Sequence, residues 1–195
     1  MSALVCFAVL AGPGAPVEAA PPPPLLVHVR DANTEYFLPS IVSVRQGGTV
    51  EWNFDGLHTA TDDSGMHLYD SGQIQGQTFS YRFATAGTYP VVCTLHVSTM
   101  VGSVRVPVRV TPAEGTTKTG FTVTWSATAA GADAVFDVDR RRVGGGWSAW
   151  ARGVTMRSAP FDPWRKGTYR FRARLRQVST GASSGWSPVG VIVVG

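Results

Sequence analysis

Cysteine is nearly missing from this 195-residue chain, which has only Cys6 and Cys93. Nucleic-acid motifs are missing too, as is any segment apolar at helical spacing, and no repeat links the two halves. No Lys or Arg precedes Arg30. No apolar run approaches the roughly 20 residues that a membrane-spanning helix needs, so no transmembrane segment is expected. Helix bundles, disulfide scaffolds and integral membrane helices are thereby set aside. What the chain does have is glycine and proline (22 and 13) with 44% hydrophobic residues. That balance predicts an all-β protein with many turns and a sizeable core.

The first 20 residues read as a signal peptide. Ala3 to Gly12 is apolar, small residues and prolines follow, and Val17-Glu18-Ala19 with Ala20 offers cleavage sites. Export to a periplasmic, extracellular or cell-surface location is the expectation. Cys6 lies inside this stretch, in a poor lipidation context. The exported protein would then keep a single cysteine, Cys93, which cannot pair internally and needs another reason to be present. Pro21-Pro22-Pro23-Pro24 follows as a stiff spacer, residues 21–24.

Beyond it, short apolar runs alternate with turn signals at the spacing of a sandwich or barrel: Leu25–Val29, Ile41–Val44, Thr49–Trp52, Phe79–Phe83, Thr88–Val92 and Val101–Val110. Thr111-Pro112-Ala113-Glu114-Gly115 breaks the pattern. We therefore expect one domain over residues 25–111, a linker over 112–116 and a second domain over 117–195. Charge divides at the same place. Residues 25–111 hold five Lys/Arg against seven Asp/Glu, and residues 112–195 hold twelve against five. The basic character belongs to the C-terminal half.

Cys93 ends an apolar run and opens Cys93-Thr94-Leu95-His96-Val97-Ser98-Thr99-Met100. His58 follows another strand-like run, Thr49-Val50-Glu51-Trp52, and the turn at Asp55-Gly56. Two imidazoles, one thiolate and a weakly held thioether are the ligand set of a mononuclear blue-copper site. One loop after a strand would deliver Cys93, His96 and Met100, and a neighbouring loop His58. The soft thiolate binds copper covalently and the imidazoles suit both oxidation states. Metal binding also accounts for the unpaired cysteine. His67, next to Met66, is read as an exposed loop histidine, and His28 as structural. No second Cys-x-x-His occurs, so multicopper oxidases and copper nitrite reductases, which need more copper centres, do not fit.

Residues 38–111 resemble the plastocyanin/amicyanin-like cupredoxins. The resemblance rests on Val50-Glu51-Trp52, His58-Thr59-Ala60-Thr61, Asp70-Ser71-Gly72 and Phe83-Ala84-Thr85-Ala86-Gly87-Thr88-Tyr89. It continues through Cys93-Thr94-Leu95-His96 and Met100-Val101-Gly102-Ser103-Val104. It implies a Greek-key β-sandwich holding one copper ion through His58, Cys93, His96 and Met100, and shuttling single electrons. The gap from His96 to Met100 holds three residues, where close relatives often have two or four. Electrons would enter at the edge of His96, where Leu57, Leu95, Val97 and Val101 form an apolar rim for a redox protein partner.

Residues 117–195 resemble a fibronectin type III domain, an immunoglobulin-like sandwich, through Trp125, Tyr169 and Gly185-Trp186-Ser187-Pro188. In Tyr169-Arg170-Phe171-Arg172-Ala173-Arg174-Leu175-Arg176, period two puts four arginines on one face. These are expected to interleave with Trp147, Trp150 or Trp186 as a cation–π ladder. The alternative is a basic face for an acidic partner or cell-surface polymer. Arg140-Arg141-Arg142 is read as a solvated strand end.

The expected architecture is two antiparallel β-sandwiches. The expected function is an exported, monomeric copper protein that carries electrons, without catalytic residues and without nucleic acid as a partner. Two alternatives stand beside it: copper storage or delivery with the same ligands, and surface adhesion by the C-terminal half.

Overall fold

A computed structural model describes residues 23–32 and 34–195. The expected leader and the first two prolines of the spacer lie outside the described residues. Every regular element among the described residues is a β-strand. In chain order they are β1 (Leu25–Ala32), β2 (Thr34–Leu38), β3 (Ile41–Ser43), β4 (Gly48–Phe54), β5 (Thr61–Asp62), β6 (Thr78–Phe83), β7 (Gly87–Val92) and β8 (Val101–Val106). Then follow β9 (Arg109–Thr111), β10 (Glu114–Gly115), β11 (Phe121–Thr124), β12 (Ala134–Arg142), β13 (Ser148–Val154), β14 (Ser158–Phe161), β15 (Gly167–Gln177) and β16 (Gly190–Val194).

The first sandwich faces a sheet ordered β2-β1-β4-β6 against one ordered β3-β8-β7-β5. Alternation drives it. In β4, Val50, Trp52 and Phe54 are buried and their neighbours are half-exposed. Trp52 stacks on Tyr69, and Phe83 packs against Trp52, Tyr81 and Tyr89. The pairing is not wholly antiparallel, as the sequence reading expected. β1 runs parallel to β4, and β3 parallel to β8. After the β1–β2 hairpin the chain crosses to the other sheet for β3, so β4 enters beside β1 from the same end. β7 and β8 form a hairpin whose last pair is Val92↔Val101. The loop that closes it carries Cys93, His96 and Met100.

The second sandwich faces β10-β16-β15-β12-β13 against β14-β11-β9. Its core holds Trp125, Phe136, Phe161, Phe171 and Ile192. Both sandwiches use one tyrosine device. The Tyr89 hydroxyl donates to the Thr85 carbonyl at 2.8 Å, and the Tyr169 hydroxyl to the Arg165 carbonyl at 2.7 Å. Each bond pins the entry to a strand to a carbonyl four residues upstream.

The run Val101–Val110 does not stay in one sandwich. Pro107 has no N–H to continue a ladder, and beyond it β9 pairs with β11 of the second sandwich. The stretch expected as a linker contains β10, which pairs in parallel with β16. Little free chain therefore separates the two bodies. The Ala86 N–H donates to the Trp125 carbonyl at 2.7 Å, and the Ala127 N–H to the Ala84 carbonyl at 2.8 Å. Thr88 and Gly185 exchange two backbone bonds. Gln46 donates to the carbonyls of Pro107 and Thr124. Ala86 sits in the second core, while Leu175 packs against both cores.

The arginines of β15 form the expected ladder. The Arg172 guanidinium lies between Trp147 and Trp186, 4.4 Å from each ring centre, and Arg174 stacks on Trp186. Trp150, three residues from Trp147, turns inward to Trp125 and Phe171 instead. Beneath the ladder are two buried carboxylates. Asp137 accepts from Arg174 and Arg176, and Asp139 from Arg152 and Arg172. Burial pushes the Asp137 carboxyl up. Hydrogen bonds from Arg176, the Gly153 N–H and Arg174 outweigh this and hold it below the ordinary value of 3.8. A carboxylate with a depressed folded pKa stabilises the fold above its unfolded pKa and loses that contribution as pH falls through the folded value. An Asp137→Asn variant should therefore show its full stability deficit in urea at neutral pH, with the gap to wild type closing below pH 3.8. A pH-independent gap would contradict the pairing.

Candidate metal centre

The site forms where two loops meet at one end of the first sandwich. His58 is fixed by a pair of backbone bonds with Ile74, His58 N to Ile74 O at 3.1 Å and the return bond at 2.9 Å. Cys93 follows β7. The N–H of Cys93 donates to the Met100 carbonyl at 3.1 Å, closing the loop. Inside it, the N–H groups of Thr99 and Met100 both donate to the His96 carbonyl. The three residues between His96 and Met100 are thus taken up as one turn.

These bonds bring three of the four expected residues to one point. The potential ligand atoms of His58, Cys93 and His96 lie within 4.8 Å of one another. Cys93 Sγ is 3.8 Å from His58 Nδ1 and 3.7 Å from His96 Nδ1. The imidazole planes are inclined at 60°. His58 and Cys93 are buried, and the His96 side chain is 30% exposed. Met100 is fully buried in the same core cluster as Cys93. Elsewhere, His67 is exposed at a backbone φ of 53° while its neighbour Met66 is buried, so the two face different surroundings. His28 is half-buried on β1.

Sequence reasoning gave no role to the residues that hold the two loops together. The Thr59 N–H donates to Cys93 Sγ at 3.3 Å. Thr59 Oγ1 accepts from the Thr94 N–H at 2.8 Å and lies 3.2 Å from Thr94 Oγ1. Thr61 Oγ1 is 3.0 Å from both Thr59 Oγ1 and Asp70 Oδ1. Ser71 Oγ accepts from the Ala60 N–H at 2.8 Å. The only sequence signal was position: Thr59 follows one histidine and Thr94 follows the cysteine. Glu35 was also missed. Its carboxylate lies 3.7 Å from His96 Nε2.

Residues 24–107 match the family model of copper binding proteins, plastocyanin/azurin family. The first sandwich is a cupredoxin domain. The chain is similar to the purple cupredoxin of Nitrosopumilus maritimus, at 23% identity over 42% of this chain and 98% of that one, with a TM-score of 0.39. It is similar to pseudoazurin of Hyphomicrobium denitrificans at 25% identity, over 43% and 75% of the two chains, TM-score 0.37. A copper-containing nitrite reductase of Thermus scotoductus matches at 25% identity over 48% of this chain and 24% of its own, TM-score 0.38. A comparison with curated proteins gave no match.

The cofactor of the cupredoxin domain is a single copper ion. The donor set fits it. A thiolate and two imidazoles converge with their ligand atoms already in range, and soft sulfur with borderline nitrogen favours copper over hard cations such as Mg²⁺. An N–H aimed at the sulfur stabilises the thiolate form that metal binding requires. Thr59→Val removes the hydroxyl that joins the loops and leaves the Thr94 N–H without its partner. We expect a loss of about 0.5–1.5 kcal/mol in urea unfolding and weaker copper retention against a chelator. Unchanged stability and retention would show that the clasp does not hold the site.

Proposed function

We propose that this protein is an electron carrier in which His58, Cys93, His96 and Met100 ligate the copper ion of a blue site. The observation that carries the proposal is the convergence of one thiolate and two imidazoles in a buried pocket with a single exposed edge. Bound copper supplies a one-electron couple between Cu(I) and Cu(II). The chain's own residues do the rest. Cys93 offers a thiolate whose charge is stabilised by the Thr59 N–H. The backbone bonds of His58 and His96 fix the main chain from which both imidazoles project. Buried Met100 belongs to the same core cluster as Cys93 and would offer its thioether as the fourth, weaker ligand. A donor set held by the fold moves little when charge changes, which keeps the cost of electron transfer low.

His96 is the route for electrons because it alone of the three reaches the surface. Leu57, Leu95, Val97 and Val101 are all exposed, and their proximity to the His96 loop supports a small apolar docking rim. Brief redox encounters use interfaces of this kind. Glu35 adds one carboxylate at this edge and favours a partner with a cation opposite it. We assign no catalytic residue, and so propose a carrier rather than an enzyme.

The second sandwich is read as a fibronectin type III-like module. Its support is the three-strand sheet packed on a larger one, the tyrosine bond of Tyr169 and the arginine–tryptophan ladder. Export is proposed from residues 1–20, and N-terminal sequencing of the secreted or periplasmic fraction should start after Ala19 or Ala20.

Copper-loaded protein should show an intense visible thiolate-to-copper absorption that vanishes in Cys93→Ser. It should be reduced and reoxidised rapidly by a cytochrome without losing copper. A colourless Cu(II) complex would overturn the blue-site assignment. Copper passing to an acceptor with no electron exchange would favour storage or delivery.

A further inference from the structure

The arginine ladder is neutralised along most of its length and then changes sign. The outward residues of β12 are Val135, Asp137, Asp139 and Arg141. Opposite them on β15 stand Arg176, Arg174, Arg172 and Arg170. Two rungs pair a carboxylate with a guanidinium. The last rung faces Arg141 with Arg170. Like charges directly opposite on a sheet are destabilising. The Nε atoms of both arginines are also shielded and have no hydrogen-bond partner. Neither side chain has a carboxylate within salt-bridge distance among the described residues.

The surroundings add charge of the same sign. Arg140 lies over Phe161, and Arg142 donates to the Lys166 carbonyl, which brings the end of β12 to the loop carrying Arg165 and Lys166. None of these cations is ion-paired among the described residues. Asp162 is the one acid in this loop, and it too is exposed. Trp164 beside them is 75% exposed, with the Arg165 guanidinium 3.8 Å from its ring centre.

We propose that this end of the second sandwich docks an acidic polysaccharide. Its carboxylates would bridge the Arg141–Arg170 rung by the paired N–H donation that guanidinium groups offer, and a sugar ring would stack on the open face of Trp164. A folded protein partner fits less well. The exposed large apolar residues on this side are Val143 and Trp164 in loops, Val189 just before β16 and Val193 on β16 beside β15. They are valines and one indole interspersed with cations rather than the aromatic centre of a protein interface. The site is independent of copper, and it relocates the basic docking surface away from the arginines held by Asp137 and Asp139.

The test measures binding of the full copper-loaded chain to polygalacturonate at low salt, with neutral dextran as control. Wild type should bind the acidic polymer, not dextran, and weaken as salt rises. Arg141→Asp continues the Asp137–Asp139 series opposite Arg170. It should fold with an unchanged or raised Tm, keep its copper absorption and bind at least about tenfold more weakly. Trp164→Ala, on the surface, should weaken polygalacturonate binding while leaving polyglutamate binding unchanged. Wild-type affinity in Arg141→Asp would overturn the rung as the site. If that variant does not fold, wild-type affinity in Arg170→Gln overturns it equally. Equal effects of Trp164→Ala on both polymers, or tighter binding to phosphatidylglycerol vesicles than to polygalacturonate, would overturn the polysaccharide assignment.

Discussion

The clasp between Thr59 and the Cys93–Thr94 peptide is the contact on which the site depends. One residue aims its N–H at the sulfur of Cys93 and its hydroxyl at the amide of Thr94. It thereby joins two loops that are 34 residues apart in the chain. Without it, His58 would be set only by its bonds to Ile74 and Cys93 only by the closure of its own loop at Met100, with nothing joining the two. With it, the distance between imidazole and thiolate is fixed by the scaffold. Desolvation adds to this, because the sulfur sits in a fully buried cluster where an N–H donor counts for more than in water.

That fixed end rests on a fixed base. β7 leaves the junction at Gly87 and Thr88, where Thr88 is bonded to Gly185 of the second sandwich, and ends beside Cys93. Six residues of strand carry the chain roughly 20 Å from junction to site. β15 begins near the Arg141–Arg170 rung and reaches the same junction at Leu175. Direct backbone bonding between the bodies, rather than a flexible tether, sets how the His96 edge and the basic end are presented.

Much of the site was legible because its logic is local. Cys93, His96 and Met100 fall in one hairpin loop, and spacing along a loop is visible in sequence. The alternation of Val50, Trp52 and Phe54, and of the β15 arginines, is equally local. What escaped is what depends on distant partners. The parallel pairing of β1 with β4 follows from a crossover, not from any pattern within either strand. Val101–Val110 reads as one apolar run, yet Pro107 breaks it and β9 finds its partner in the other sandwich. The Thr59–Thr94 clasp joins two unremarkable threonines that only the fold places together. Trp150 lies in β13 and turns into the core, whereas Trp147 stands just before that strand and meets the arginines.

If the scaffold rather than the metal sets the positions of the Cys93 sulfur and the two imidazoles, those positions do not depend on copper or its oxidation state. Crystal structures of the metal-free, Cu(I) and Cu(II) forms test this most directly. The Sγ–Nδ1 separations of 3.8 and 3.7 Å and the Thr59 N–H to Sγ bond should persist in all three, within about a few tenths of an ångström. An imidazole swung out of the pocket in the metal-free form, or a Cys93 loop rebuilt between oxidation states, would contradict it.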